Sequence, residues 1–263
     1  MKAPTLSLAA GVLPDFSPQE TARAAVDSGF DATGVWVDLS TWTAQTTTEL
    51  KSILGGSGMS ALDVEVVWLQ PGPADSAHLK VVDIGLELGA ANVLVVSSDP
   101  DDASTAAKLA ALCEHGGNAI RIALEFAMFT EVRSLAQASA IVSAVDHPAA
   151  SLLIDPLHLS RCGDTPAGVS QIPRQWLAYA QFCDVGPLTF DPANRDAIIV
   201  EAIDERLMPG DGTLPLKELL DAFPAGLPLS LELRSKWLRE TYPAANDRAA
   251  ALLAATRSYF DAL

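Results

Sequence analysis

The segment Ser151-Leu152-Leu153-Ile154-Asp155-Pro156-Leu157-His158 joins a short, mostly apolar run to an acidic residue and a proline. A short apolar run that ends in turn-forming residues is typical of a strand buried on both faces. Similar runs recur along the chain and alternate with stretches that have helical spacing of apolar residues. This alternation predicts βα units around a parallel sheet.

Eight strand candidates can be identified, and the chain of 263 residues has the length of one (β/α)8 barrel. An open, doubly wound sheet would also accommodate eight strands, but no GxGxxG or GxxxxGK(S/T) motif follows any of them. We therefore predict an α/β fold, a single (β/α)8 TIM barrel over residues 1–263. The predicted strands are Thr5–Ala9, Thr33–Val37, Leu62–Leu69, Asn92–Val96, Ile122–Phe126, Ser151–Ile154, Ala178–Phe182 and Leu229–Leu233.

Helical patterns lie between these strands. The first begins at the capping box Ser17-Pro18-Gln19-Glu20, which places proline at the first helical position. The stretch Gly186–Thr213 after the seventh strand shows no regular pattern, so we expect an irregular loop or lid on the catalytic face. The other predicted helices are Ala74–Leu88, Ser104–Glu114, Val132–Val145, Leu216–Phe223 and Ala244–Leu263.

The composition narrows the classes of partner. The chain has 33 Asp and Glu against 17 Lys and Arg, a net charge of -16, which repels nucleic acids and anionic membranes. Three cysteines without a CxxC spacing argue against a disulfide framework or a structural zinc site. No apolar run is long enough to span a membrane, and Leu6–Leu13 is too short for a signal peptide. We expect a cytoplasmic protein with a small-molecule substrate.

Polar residues flanked by apolar ones stand at the ends of the last four predicted strands. In a barrel, the carboxyl ends of the strands meet at the catalytic face, so these side chains would face one another. Burying an unpaired carboxylate is costly, and few cations lie on the strands, so a shared divalent ion would satisfy the whole group. Oxygen ligands favour a hard ion, Mn²⁺ or Mg²⁺, although each residue singly could form a salt bridge or a cap. The four residues are Glu125, Asp155, Gln181 and Glu232.

Two residues after the sixth strand are candidates for substrate contact. His158 follows Asp155 by three residues, where it could hydrogen-bond the substrate or act as an acid or base; the alternative is a surface histidine. Arg161 could bind an anionic group of the substrate or pair with a surface acid.

Four more candidates stand near other strand ends or in the long loop. Arg206 precedes the tight turn Pro209–Gly212 and could contact the substrate from the loop. Trp36, Glu65 and Trp68 could line the pocket, although both tryptophans could equally belong to the core.

An ordered set of segments resembles the xylose isomerase-like TIM-barrel superfamily, whose members are often described as sugar phosphate isomerases or epimerases. The resemblance extends from about Arg121 to the C-terminus, whereas the first 120 residues match only in βα rhythm. It implies that the family's metal ligands correspond to Glu125, Asp155, Gln181 and Glu232, and a substrate-contacting histidine to His158. The segments are LEF (124–126), IDPLHLSRCG (154–163), AQFCD (180–184), RLMPGDGTLPLKELL (206–220) and LSLEL (229–233).

The sequence departs from the family at Gln181, where histidine is more common. In having glutamine at this position the chain resembles 3-dehydroshikimate dehydratases, so lyase chemistry stays an open alternative. The endonuclease branch binds several zinc ions through many histidines, and four histidines with a strongly acidic charge argue against it. No Gly-rich or Lys/Arg-rich phosphate cradle follows a strand.

The resemblance and the residues together predict a metal-dependent isomerase or epimerase that acts on a keto-sugar or related polyol through an enediolate. Glu125 and Glu232 are the candidates for moving the proton, and His158 for holding or protonating a substrate oxygen. Expulsion of a β-hydroxyl at the same site would dehydrate a cyclic keto-polyol, such as 3-dehydroshikimate or a keto-inositol. A non-catalytic sugar-binding barrel is the third alternative, which the complete set of oxygen ligands disfavours.

An assembly is also predicted. Trp237 and Leu238 follow the eighth strand and would be exposed near the barrel mouth unless something covers them. The Gly186–Thr213 stretch lies on the same face, where relatives of the resembling family commonly pair. We expect a homodimer or higher homo-oligomer, with Trp237 in the contact or in the pocket.

Overall fold

The structure of the protein, a computed structural model, describes residues 4–191 and 194–263. Within these residues, eight parallel strands pair in chain order, and the last pairs with the first to close a barrel. The predicted (β/α)8 barrel is confirmed, with strand bounds shifted by one or two residues. The strands are β1 (Leu6–Leu8), β2 (Ala32–Trp36), β3 (Ser60–Leu69), β4 (Asn92–Ser97), β5 (Arg121–Glu125), β6 (Ala150–Ile154), β7 (Leu177–Phe182) and β8 (Leu229–Leu231).

Helices connect the strands and cover the outer face of the barrel. The predicted capping box is present, because Ser17 Oγ accepts from the Glu20 amide while the Glu20 carboxylate accepts from the Ser17 amide. The helices are α1 (Pro18–Ser28), α2 (Ala44–Ser57), α3 (Ser76–Leu88), α4 (Asp102–Gly116), α5 (Leu135–Val145), α6 (Pro156–Arg161), α7 (Pro166–Val169), α8 (Arg195–Asp204), α9 (Leu216–Ala222), α10 (Lys236–Thr241) and α11 (Ala245–Asp261).

The expectation of an irregular loop over Gly186–Thr213 is wrong in its middle, where α8 forms. The Asn194 side chain accepts from the Ala197 amide and so caps this helix, and Ile198 and Ala202 are buried beneath it. Pro192 and Ala193 of the same stretch lie outside the described residues. The loop therefore carries a helix that brings its own side chains to the barrel mouth.

Two apolar clusters form the core. The larger lies between the strands and the surrounding helices, and the smaller fills the barrel interior. None of the described helices is long and apolar enough to cross a membrane. The interior cluster consists of Ala32, Leu62, Leu94, Val96, Ala123, Leu153 and Tyr179.

Candidate metal centre and active site

The four predicted ligand positions come together at the carboxyl end of the barrel. Glu125 ends β5, Gln181 lies in β7, and Glu232 directly follows β8. Asp155 follows β6 and caps α6, where its Oδ1 accepts from the amides of Leu157 and His158. All four are buried. Side chains along each strand alternate between the barrel interior and the outer face, and these four point inward.

Three polar atoms of this cluster, two oxygens and one ring nitrogen, have no hydrogen-bond partner among the described residues. They are Glu125 Oε1, Gln181 Oε1 and His158 Nδ1. One ligand atom each from Glu125, Asp155 and His158 lie within 4.8 Å of one another, an arrangement that could hold a metal ion. Buried polar atoms normally have partners, so these three atoms point to an occupant.

Arg206 is a buried cation beside the cluster, and it lies in the segment after α8 and not on a strand. Its Nη1 lies 2.5 Å from Asp155 Oδ2, and its Nη2 lies 3.2 Å from Glu232 Oε2. Its Nε donates to the carbonyl of Ala202 at 2.8 Å. Arg206 lines the site cavity, where its guanidinium bonds to carboxylates, and contact with a substrate stays a prediction.

Burial and Arg206 together set the ionisation of these acids. Burial raises the pKa of Glu125 well above its ordinary value, and the neighbouring carboxylates of Asp155 and Glu232 raise it further. Burial also raises the pKa of Glu232, although the Arg206 guanidinium opposes this. At Asp155, burial acts in the same direction, but the charge of Arg206 and the hydrogen bonds from Arg206 and the His158 amide hold its pKa below the ordinary value.

His158 is a buried residue of the same cluster rather than a surface histidine. Burial lowers its pKa to about 4, which keeps the imidazole neutral at neutral pH. Its ring meets the edge of Phe129 at 5.3 Å between centroids. The structure therefore places His158 both beside the carboxylates and on the wall of the cavity.

One cavity at the barrel mouth contains most of the predicted site. Trp36, Glu65 and Trp68 line it, as do Arg206 and the cluster residues Glu125, His158, Gln181 and Glu232. Both tryptophans are partly exposed, 42% and 37%, so they belong to the cavity wall and not to the core. The apolar side of the wall is completed by Val66, Leu94, Val96 and Phe129.

Arg161 does not line this cavity. Its Nε and Nη2 bind the two carboxylate oxygens of Glu201 at 2.8 and 2.6 Å, and Nη2 also donates to the carbonyl of Gly186. Of the two roles considered for Arg161, pairing with an acid is the one observed, although Glu201 is buried and not on the surface. The expected contact with an anionic substrate is wrong for this residue, since its donors are used elsewhere.

Three residues near the site were not predicted from the sequence. Asp63 lies inside the barrel, where burial and then Glu232 raise its pKa to about 7. Phe129 and Arg234 line the cavity. Asp63 and Arg234 stand two residues from Glu65 and Glu232, so the alternation of a strand was a signal that could have found both. Phe129 lies in a loop and gave no comparable signal.

The residues present fit a divalent ion. Glu125 and Gln181 offer unpartnered oxygens, His158 an unpartnered nitrogen, and the carboxylates of Asp155 and Glu232 border the same space. Oxygen donors with a single imidazole are suitable ligands for several divalent metals. The geometry therefore supports a metal centre, with Arg206 offsetting part of the negative charge.

Several solved structures have the same fold as this chain. A xylose isomerase-like TIM barrel/4-hydroxyphenylpyruvate dioxygenase fusion protein is 21% identical, with a TM-score of 0.78 over 98% of this chain, which spans 44% of the fusion protein's length. The IolI protein with a binding zinc atom is 17% identical, with a TM-score of 0.79 over 98% of each chain. The probable 3-DHS dehydratase AsbF from Bacillus anthracis is 14% identical, with a TM-score of 0.69 over 95% of this chain and 98% of its own. Sugar epimerases are also among the structural neighbours.

The assignment to a family comes from the sequence match. No curated protein matches the chain. The family model described as xylose isomerase-like TIM barrel matches residues 22–258, which is most of the chain and includes every residue of the metal cluster. The chain belongs to the xylose isomerase-like TIM-barrel family.

Proposed function

We propose that this protein is a divalent-metal-dependent isomerase or epimerase that moves a proton next to the carbonyl of a keto-sugar or related polyol. The observation that carries the proposal is the set of buried donor atoms without partners, Glu125 Oε1, Gln181 Oε1 and His158 Nδ1, around one cavity. The presence of sugar epimerases among the structural neighbours favours this reaction class.

The metal ligands in this proposal are Glu125, Asp155, Gln181 and Glu232, and His158 is close enough to join them. Mn²⁺ or Mg²⁺ suits the oxygen donors, and zinc, which the IolI structure holds, is the alternative ion. When bound, a divalent ion supplies a Lewis acid that polarises the substrate carbonyl and stabilises the charge of the enediolate.

The chain's own residues perform the remaining tasks. Glu125 and Glu232 both line the cavity, from the ends of β5 and β8, so either carboxylate can take the proton from carbon while the other returns one. His158 holds a substrate hydroxyl or carbonyl oxygen in place. The apolar wall of Trp68, Phe129 and Leu94 keeps water from the reacting carbon.

Dehydration of a cyclic keto-polyol is the second candidate, and Gln181 is the observation that favours it. Histidine is more common at this position in the family, glutamine resembles its 3-dehydroshikimate dehydratases, and AsbF, a probable 3-DHS dehydratase with this fold, is among the neighbours. Both reactions begin with removal of a proton next to a carbonyl. They differ in whether a hydroxyl leaves afterwards, so the product distinguishes them.

Hydrogen exchange tests the proposal. Metal-loaded protein is incubated in D₂O with a panel of keto-sugars and cyclic keto-polyols, and we expect carbon-bound deuterium in substrate or product. Glu232→Gln should slow turnover by about a hundredfold or more, because a proton-transfer group is lost. The matched control is Glu240→Gln, an exposed residue of α10. Undiminished turnover by Glu232→Gln would exclude its role, and loss of water from the substrate would identify the dehydratase.

A further inference from the structure

A second cavity adjoins the candidate active site. It has a volume of about 230 Å³ and shares Trp36 and Arg234 with the site cavity. Its other lining residues are apolar or uncharged: Ala10, Gly11, Leu13, Pro14, Phe16, Pro18 and Thr21. Arg234 is therefore the one charged residue that lines it among the described residues.

Arg234 is half-buried and, unlike the buried arginines, has no bonded acid among the described residues. Arg161 and Arg206 each bind carboxylates, whereas no hydrogen bond or ion pair of the Arg234 guanidinium is present within residues 4–191 and 194–263. Its Nε is buried and has no acceptor. Glu65 and Glu232 act on Arg234 only through longer-range charge interactions. A guanidinium with free donors beside an apolar cavity is a site for a planar anion.

Gly11 provides the room in which this arginine lies. A Cβ atom at this position would stand 3.0 Å from Arg234 Cδ and 2.9 Å from Glu232 Oε1. Any side chain there would displace the arginine or the carboxylate. The backbone after β1 therefore packs closely against both Arg234, which lines the second cavity, and Glu232, which belongs to the metal cluster.

We propose that the second cavity is a subsite for a carboxylate on the substrate, and that Arg234 binds this carboxylate. The inference rests on the proposed function, because it names the class of substrate for the same site: a keto acid or a carboxylated cyclic polyol instead of a neutral sugar. One guanidinium matches the two oxygens of a carboxylate. A phosphate dianion would need more donors than this apolar lining offers. The ring of the substrate packs against Trp36, which borders both cavities.

Calorimetric binding to the Mn²⁺-loaded protein tests the subsite. The probes are quinate and its methyl ester, which share one ring and differ in the charge of the carboxyl group. We expect quinate to bind at least about tenfold more tightly, because a charge-assisted hydrogen bond is lost in the ester. Arg234→Gln should remove this difference and leave the affinity for the ester nearly unchanged, while Arg234→Lys should keep part of it. Arg257→Gln, which removes an exposed charge outside both cavities, should keep all of it.

Other outcomes overturn the inference. Equal affinity for acid and ester would show that no carboxylate subsite exists. An equal loss of affinity for quinate and for its ester in Arg234→Gln would show that Arg234 only positions Glu65 and Glu232. Absence of binding by both probes also contradicts the subsite. The proposed function would stand through each of these results if deuterium exchange on neutral keto-sugars is observed, so the two failures are distinguishable.

Discussion

At the scale of single residues, Arg206 changes the balance of charge in the metal cluster. It bonds Asp155 and Glu232 within a site that also contains Glu125 and Glu65, all of them buried. Burial alone would lower the pKa of Arg206, but the carboxylates of Asp155 and Glu232 raise it well above its ordinary value. In protein without metal, Arg206 is the main counter-charge for the cluster. A divalent ion would therefore share the carboxylates with an arginine already in place.

Removal of Arg206 should make the fold depend on metal. Breaking a buried ion pair on one side commonly costs about 3–5 kcal/mol, and Arg206→Gln leaves two carboxylates without their cation. We expect a loss of that size in chelator and a much smaller one in saturating Mn²⁺, since binding to the folded state adds stability. Urea unfolding in both conditions measures this, with Arg133→Gln, an exposed arginine, as the control. An equal loss with and without Mn²⁺ would contradict the shared role.

Asp63 should make the metal-free protein less stable as pH rises. Its pKa is raised to about 7 by burial and by Glu232, so the folded state retains a proton that the unfolded chain releases near pH 4. The contribution of Asp63 to stability therefore declines from about pH 4 to about pH 7. Asp63→Asn should reduce this decline by up to a few kcal/mol, at about 1.4 kcal/mol per pKa unit. Urea unfolding at pH 5 and pH 8 checks this prediction. It would be refuted if the free energy of unfolding changed between the two pH values as much in Asp63→Asn as in the control Asp261→Asn.

Single residues also show what the sequence could reveal. Glu125, Asp155 and Glu232 were identifiable because an acid inside an apolar run needs a reason to be there. The pairing of Arg206 with Asp155 spans 51 positions and depends on how the segment around α8 folds back over the barrel. The same applies to Arg161 and Glu201, 40 positions apart. Local patterns can predict which residue types reach a strand end but not which distant partner they meet.

At the scale of elements, strands were predicted more fully than helices. Buried parallel strands have continuous apolar runs, which are visible in sequence. No bounds were predicted for helix α2, because it contains Thr46, Thr47 and Thr48 and the pair Gly55-Gly56, which have low helix propensity. It forms because Thr43 caps it and Leu50 and Leu54 pack into the core. Tertiary burial outweighs local preference there, and likewise in α8.

The ion pair between α6 and α8 should stabilise the loop that carries Arg206. Glu201→Ala leaves the buried Arg161 guanidinium without an acid, so we expect a loss of about 3–5 kcal/mol in the free energy of unfolding. The matched control is Glu205→Ala at the end of the same helix, where the side chain is exposed and the loss should be well under 1 kcal/mol. Urea denaturation measures both. Similar losses for the two variants would show that the ion pair contributes nothing specific.

At the scale of the whole molecule, we expect association through the face that carries the β7 and β8 loops. Trp237 on α10 is 55% exposed and Val200 on α8 is 46% exposed, and the two helices are in contact. Trp237 contacts Tyr242 edge-on and does not line the site cavity, which favours an interface over a pocket role. Large exposed apolar side chains grouped on one face are typical of interaction surfaces.

Sedimentation velocity at micromolar concentration tests this expectation. The wild-type chain should sediment as a dimer or larger assembly, and Trp237→Ser should weaken association by at least about tenfold, as loss of a buried aromatic anchor does. Leu263→Ser, another exposed apolar residue at the far end of the chain, is the control. A wild-type protein that sediments as a single chain would refute the predicted oligomer.

Metal content shows whether the buried cluster holds a divalent ion. Protein purified without chelator is analysed for bound divalent metals, together with Glu125→Gln, Glu232→Gln and the exposed control Glu240→Gln. We predict about one divalent ion per chain in the wild type and in Glu240→Gln, and a strong loss of metal in the two cluster variants, because each removes a charged ligand from a small set. Active wild-type protein without a divalent ion, or full metal content in both cluster variants, would contradict the proposed metal centre.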